Sequence, residues 1–315
     1  MTERCVYYVQ THRDAEQIYR LVRALRRGSP GALILVLHDF GAAPLDWGPL
    51  ATLDGVHLLR SSYQHVRGRF SGQAQPLLDA IAWLESGAVD YDWLVTLTGQ
   101  DYPVQPLGAC ERRLRESGSD GFLRFWDVLA GDGPWPPHKG RRRYWYRYRL
   151  LRPDAMRWLR LLRPLSRLVP GVHLSLDYGP NVGIRALRTP WRDGFRCYGG
   201  WTWVALRREA VRYVHDFLRE RPDLLRFYRA TMSPEESIVQ TVLVNSGRFR
   251  LENDDLRFID YERAVRGAPR TLTVGDLPAL ASGRHFFARK FDLAVDREVL
   301  DRIDRELLGE RPFAT

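Results

Sequence analysis

The stretch Ala32-Leu33-Ile34-Leu35-Val36-Leu37 constrains the fold more than any other part of this chain. A strand with one face in water alternates apolar and polar residues, so an uninterrupted apolar run calls for a strand covered on both faces, as in a parallel sheet between helical layers. The surrounding sequence supplies the rest of that arrangement. Cys5 to Gln10 is a β-branched and aromatic run, and Ile18, Leu21, Val22 and Leu25 then recur at helical spacing until Gly28-Ser29-Pro30-Gly31 breaks the pattern. Strand patterns return at Val56–Leu59 and Trp93–Leu97, with a helix predicted over about 73–86 between them. This βαβ alternation predicts a Rossmann-like first third whose ligand sits beyond the carboxyl ends of the strands.

Polar residues follow those strand ends. His12 comes after the first strand, His38-Asp39 after the second, and Thr98-Gly99-Gln100-Asp101-Tyr102-Pro103 after the fourth. Asp39 suits hydrogen bonds from a ribose or base, and Asp101 suits a sugar hydroxyl. Each is also an ordinary turn former when taken alone. Neither Gly-x-Gly-x-x-Gly nor Gly-x-x-x-x-Gly-Lys-Ser/Thr occurs, which argues against a dinucleotide enzyme and a P-loop NTPase. Three scattered cysteines give neither a disulfide framework nor a zinc-ligand spacing, so a reducing cytoplasm is expected. No signal peptide and no spanning segment are read from the sequence.

The formal charge is +10, which favours acidic partners: nucleotides, nucleic acid or anionic lipid. Of the 48 basic residues only Lys139 and Lys290 are lysines. Lys290 follows Arg289 between aromatics in Phe286-Phe287-Ala288-Arg289-Lys290-Phe291-Asp292, a pairing suited to two phosphates or, more plainly, to a strand with its basic side in water. The stretch from Lys139 to Arg149 interleaves arginines with aromatics, and the basic and apolar pattern continues through Met156, Trp158, Leu159, Leu162 and Leu165. It fits nucleic acid, a membrane surface over 141–168, or an excursion that shapes an acceptor pocket.

Farther on, Trp201 and Trp203 follow the pair Gly199-Gly200 and form either a platform for a sugar ring or part of the core. Ser233-Pro234-Glu235-Glu236-Ser237 opens the apolar helix Ile238–Val244, with Ser233 and Glu236 spaced as a capping box. Two adjacent acids at a helix mouth also suit a general base, because the helix N-terminus keeps a carboxylate ionised.

In this order, the strand ending at His12, Leu37-His38-Asp39, Thr98 to Pro103, Gly199-Gly200-x-x-Trp203, Ser233 to Ser237 with Thr241-Val242-Leu243-x-Asn245-Ser246, and Phe286 to Asp292 resemble glycosyltransferase family 14. That family holds the core-2/I-branching β-1,6-N-acetylglucosaminyltransferases and the peptide O-xylosyltransferases. The resemblance implies an α/β GT-A fold with a mixed central sheet, in one domain over 1–315 with a nucleotide-binding half (1–110) and an acceptor-binding, catalytic half (111–315). It implies an inverting transfer of GlcNAc or xylose from a UDP-sugar to a glycan, glycoside or lipid-linked acceptor, with no cofactor and no divalent metal. Glu236 matches the catalytic base. Arg289, Lys290 and Arg270 match diphosphate-binding residues, Asp39 matches the uridine contact, and His12 and Asp101 join the donor site. Glu235, Trp201 and Trp203 are assigned to the acceptor. Asp90-Tyr91-Asp92 has the spacing of a metal motif but precedes its strand. Trp201-Thr202 departs from both branches of the family, so the acceptor type does not carry over. A bacterial-type cytoplasmic enzyme is expected, with a non-catalytic UDP-sugar-binding module or a nucleic-acid-binding protein as the alternatives.

Overall fold

The computed structural model describes residues 4–61, 64, 68–261 and 268–309. Its centre is a seven-stranded sheet built from β1 (Cys5–Thr11), β2 (Leu33–His38), β3 (Val56–Leu58), β4 (Trp93–Thr98), β6 (Gly121–Asp127), β10 (Tyr198–Arg207) and β11 (Leu251–Glu252). The strands run in the order β11-β6-β10-β4-β1-β2-β3. Strands β4, β1, β2 and β3 are mutually parallel, as the apolar run required, while β10 lies antiparallel between β4 and β6. The sheet is therefore mixed, with helices on both faces.

Alternation along each strand divides the core in two. Tyr7, Val9, Ile34, Val36, Val95 and Leu97 face one layer together with Ile18, Leu21, Val22 and Leu25 of the helix Ala15–Gly28. Val6, Tyr8, Leu33, Leu35, Leu37 and Leu94 face the other, against the helices Gln75–Trp83, Arg208–Glu220 and Ile238–Ser246. All six residues of β2 are buried, and each fully covered aliphatic side chain contributes about 1.5–3 kcal/mol relative to leaving it in water.

Two small sheets flank this core. One runs β12 (Arg257–Ile259), β13 (Phe287–Arg289), β5 (Asp101–Pro103), so the Thr98 to Pro103 segment is a turn followed by a short strand. The other is the antiparallel sheet β7 (Tyr146–Leu150), β9 (Asn181–Arg185), β8 (Val172–Ser175), with the helix Met156–Leu162 inserted before β8. The basic aromatic stretch is thus split. Lys139 to Tyr144 lies in the helix Pro137–Tyr144, and Tyr146 to Arg149 lies in β7.

The capping box expected at Ser233 does not form. Ser233 has φ 49°, in the left-handed region, and makes no side-chain cap bond; Pro234–Glu236 is a single 3-10 turn before the helix Ile238–Ser246. Glu236 is drawn instead toward an arginine far away in sequence.

Candidate active site

A cleft of about 590 Å³ opens at the carboxyl ends of β1 and β4, where Thr11, His12, Thr98, Gly99 and Gln100 form its floor. Its basic wall comes from β13. Register pairs Arg289 with Asp101 across β13 and β5, and Arg289 Nη1 stands 3.7 Å from Asp101 Oδ1. The guanidinium carbon lies 4.1 Å from the centre of the Trp203 ring, so the arginine is held between an aromatic face and a fully buried carboxylate. Lys290 follows it into the cleft. The segment is clamped to the strand ends because Gln17 Nε2 donates to both Gly99 O (2.9 Å) and Phe291 O (3.0 Å), and Phe291 N donates to Gln100 O (3.0 Å).

The acidic wall comes from the turn before the helix Ile238–Ser246. Ser237, Thr241 and Asn245, each four residues apart and so on one helical face, fasten that helix to the start of β10. Ser237 Oγ donates to Tyr198 O (2.8 Å), Tyr198 N donates to Thr241 Oγ1 (3.0 Å), and Asn245 exchanges bonds with both the N–H and the carbonyl of Arg196 (2.9 and 2.8 Å). Glu235 and Glu236 are therefore fixed beside Trp201, Thr202 and Trp203, and all five line the cleft. Glycine is required at 199 and 200 by the protein itself, not by a ligand. A Cβ on Gly200 would lie 2.0 Å from Arg124 O, and one on Gly199 would lie 2.7 Å from the Trp135 ring.

The third wall is the basic helix Pro137–Tyr144. Lys139 and Arg143 sit four residues apart on one face, 5.4 and 4.3 Å from the centre of the Trp135 ring. Arg143 Nη1 donates to Glu236 Oε2, and both side chains are largely buried. Burial works against charge on Arg143, but Glu236, Tyr144 and Tyr178 outweigh it and hold the guanidinium charged more firmly than usual. Lys139 goes the other way: burial, and then the nearby Arg143, lower its pKa. Both lysines of the chain, 139 and 290, thus line one cleft. Trp201 completes the enclosure, stacked on Tyr261 at 5.1 Å and set edge-on to Trp135 at 6.0 Å.

Of the residues expected from sequence, the cleft gathers His12, Arg289, Lys290, Trp201, Trp203, Glu235 and Glu236. Asp39, Asp101 and Arg270 stand outside its lining. Asp39 Oδ1 accepts from Gly41 N (2.9 Å) and Ala42 N (3.3 Å) in the turn after β2. Asp101 accepts from Thr98 N and braces Arg289 from below. Arg270 is committed to Asp260 (2.6 Å from Nε) and to Asp276 (2.8 Å from Nη1); these carboxylates, Asp276 foremost, hold it charged above the ordinary arginine range. Trp135, Lys139, Arg143, Tyr178 and Tyr261 were not singled out for the site. The spacing of Lys139 and Arg143, combined with the rarity of lysine, was the signal that could have found two of them.

No three His, Cys, Asp or Glu side chains among the described residues converge to hold a metal ion. Asp90 and Asp92 lie at the amino end of β4, bonded to Arg208 and to Arg4 N (2.8 Å for the latter).

Residues 177–281, which carry Trp201, Trp203, Glu235, Glu236 and Arg270, match the family model of the Core-2/I-Branching enzymes. Over that stretch the chain is similar to that family. A β-glucuronosyltransferase of Arabidopsis thaliana, GlcAT14A, is 27% identical over 75% of this chain and 47% of its own length. A second, GlcAT14B, is 25% identical over 94% of this chain and 64% of its own. Xylosyltransferase 2 of Rattus norvegicus is 33% identical over 37% of this chain and 16% of its own. The chain spans about half to two thirds of the length of the two plant relatives. The mixed α/β sheet, parallel over β4, β1, β2 and β3, agrees with the GT-A fold expected from the resemblance.

Proposed function

We propose that the protein is an inverting glycosyltransferase that moves a sugar from a UDP-sugar to an acceptor hydroxyl without a divalent metal. The observation that carries this reading is the meeting of Glu235-Glu236 with Arg289-Lys290 across one cleft, although the two pairs lie far apart in sequence and on different elements. Single-displacement inversion needs both kinds of group. Glu236 takes the proton of the acceptor hydroxyl as that oxygen bonds to the anomeric carbon, and the bond from that carbon to the diphosphate oxygen breaks on the opposite face. The electron pair leaves on UDP, where Arg289 and Lys290 meet the new negative charge in a site prepared for it.

Arg143 fits this scheme as the residue that aims the base. Its bond to Glu236 orients the carboxylate, and the incoming hydroxyl then takes up the carboxylate oxygen opposite. Asp101 and Trp203 act on the leaving-group side by fixing Arg289, and the aromatic wall of Trp201, Trp135 and Tyr261 suits the flat face of a sugar. No cofactor takes part, and the buried free cysteines Cys5, Cys110 and Cys197 fit a reducing compartment such as the cytoplasm. GlcNAc and xylose remain the donor sugars drawn from the family, with glucuronic acid added by the names of the plant relatives.

Incubation with UDP-GlcNAc, UDP-xylose and UDP-glucuronic acid in EDTA tests the proposal. Release of UDP from one of them is expected. Lys290→Ala should weaken UDP binding by roughly 10- to 100-fold, the scale of one lost charge-assisted bond. Turnover that appears only on addition of magnesium or manganese contradicts the metal-free scheme, and unchanged UDP affinity in Lys290→Ala removes the phosphate assignment.

A further inference from the structure

The charge of this protein is not spread over its surface. Residues 139–188 hold thirteen basic and two acidic side chains, while the whole chain carries +10, so everything outside this segment is close to neutral. Exposed apolar side chains collect in the same place. Among the described residues, eight of the twelve large apolar side chains that stand in solvent fall between Leu150 and Leu187. The helix Met156–Leu162 shows how. Leu159 turns inward, whereas Trp158, Leu161 and Leu162, which share a face at i, i+3 and i+4, are 55%, 67% and 47% exposed. This is the apolar stripe of an amphipathic helix turned toward solvent, with Arg157 stacked on Trp158 at 5.1 Å and Arg160 and Arg163 exposed beside it. The next loop presents Leu168 and Val169, and the register of β8 on β9 sets Val172 against Ile184, so Ile184 and Leu187 continue the patch.

We propose that this basic, apolar module of the sheet β7-β9-β8 and the helix Met156–Leu162 docks on an anionic phospholipid membrane. Exposed leucines and a tryptophan ringed by arginines, with almost no acid among them, complement an interface that is apolar inside and negative at its rim. The sequence had suggested membrane contact over 141–168. The structure moves the boundary, because Arg143 and Tyr144 turn into the cleft and the core while Ile184 to Arg188 join the surface. The module is continuous with the cleft. Lys139 and Arg143 come from the helix just before β7, and Tyr178 from the turn between β8 and β9. A docked protein therefore holds its cleft close to the bilayer, and, resting on the reading of sugar transfer above, its acceptor is a hydroxyl carried on a lipid.

Flotation with vesicles of phosphatidylcholine alone, and of phosphatidylcholine mixed with phosphatidylglycerol, tests the docking without any assay of transfer. The wild-type protein should float with the anionic vesicles only, and salt should release it. Each of Arg157→Gln and Arg160→Gln should weaken binding about fivefold, Leu161→Ser with Leu187→Ser should remove it, and Val295→Ser, outside the patch, should leave it unchanged. Absence of flotation, equal binding to neutral vesicles, or binding unmoved by these substitutions overturns the proposal. So does a concentration-dependent dimer that Leu161→Ser abolishes, which would assign the patch to a second copy of the chain, or binding of RNA without binding of anionic vesicles. Failure of the wild-type protein to float while it still releases UDP rejects the membrane surface and spares the transferase; flotation with no UDP release from any of the three donors rejects the transferase alone.

Discussion

In the parallel half, β2 keeps all six of its side chains out of water, whereas β9 in the small antiparallel sheet leaves Ile184 and Arg185 exposed. The first region is covered by helices on both faces and is close to neutral. The second has little above it and carries the charge of the molecule. The cleft lies between them, floored by the ends of β1 and β4 and walled by the helix Pro137–Tyr144 that leads into β7. Gln17 and Asp101 at the helix-covered half thus hold the Arg289-Lys290 segment in place, and the more exposed half brings Arg143 to Glu236.

If this contrast is sound, equivalent apolar truncations should differ sharply between the two. Leu35→Ala, in the middle of β2, is expected to cost about 2–5 kcal/mol in urea unfolding. A cost under about 1 kcal/mol would mean that the parallel layer is not the core described. Thr241→Val strips the acceptor from Tyr198 N at the seam of the helix Ile238–Ser246 with β10 and should cost about 1–3 kcal/mol. Turnover should fall with it, since Glu236 and Trp201 ride on that seam; an unaltered melting curve would argue against the seam.

Acid should loosen the small sheet first. His173 on β8 has its pKa lowered to about 4 by burial and by Arg142, with Arg163 adding and Asp177 opposing. Its Nδ1 lies 2.7 Å from Tyr148 Oη on β7. A histidine with a depressed pKa in the fold stabilises it fully above its ordinary value, and this contribution is lost as the pH falls from there toward about 4. Limited proteolysis within 150–188 should increase over that range, and His173→Gln should flatten the response. Cleavage spread evenly over the chain would remove the distinction between the halves. Smallest of all, Leu161→Ser should change unfolding by no more than about 0.5 kcal/mol, because that side chain already stands in solvent. A larger loss would show that the exposed stripe is part of a core after all.

The parallel strands were legible because their constraint is local: an apolar run with no polar break leaves no open face. A site at the strand ends was expected from that, and His12, Arg289, Lys290 and Glu236 do line one cleft there. Partners chosen over long distances were not legible. Ser233 and Glu236 have capping-box spacing, yet Glu236 is taken by Arg143, 93 residues away, and Ser233 adopts a left-handed backbone. Asp39 and Asp101 were read as ligand contacts, yet one is occupied by its own turn and the other braces Arg289. Lys139 and Arg143 lie in a basic run where lysine's rarity and their spacing are the only sequence trace of the helix that puts both over Trp135.

Glu236, proposed as a base facing a separate cationic leaving-group site, is tested on both counts by one variant, Glu236→Gln. Turnover of the UDP-sugar should fall by roughly 10²- to 10⁴-fold, the usual scale for a lost general base, while UDP affinity measured by calorimetry stays that of the wild type. Near-normal turnover, or loss of UDP binding together with turnover, would contradict that proposal.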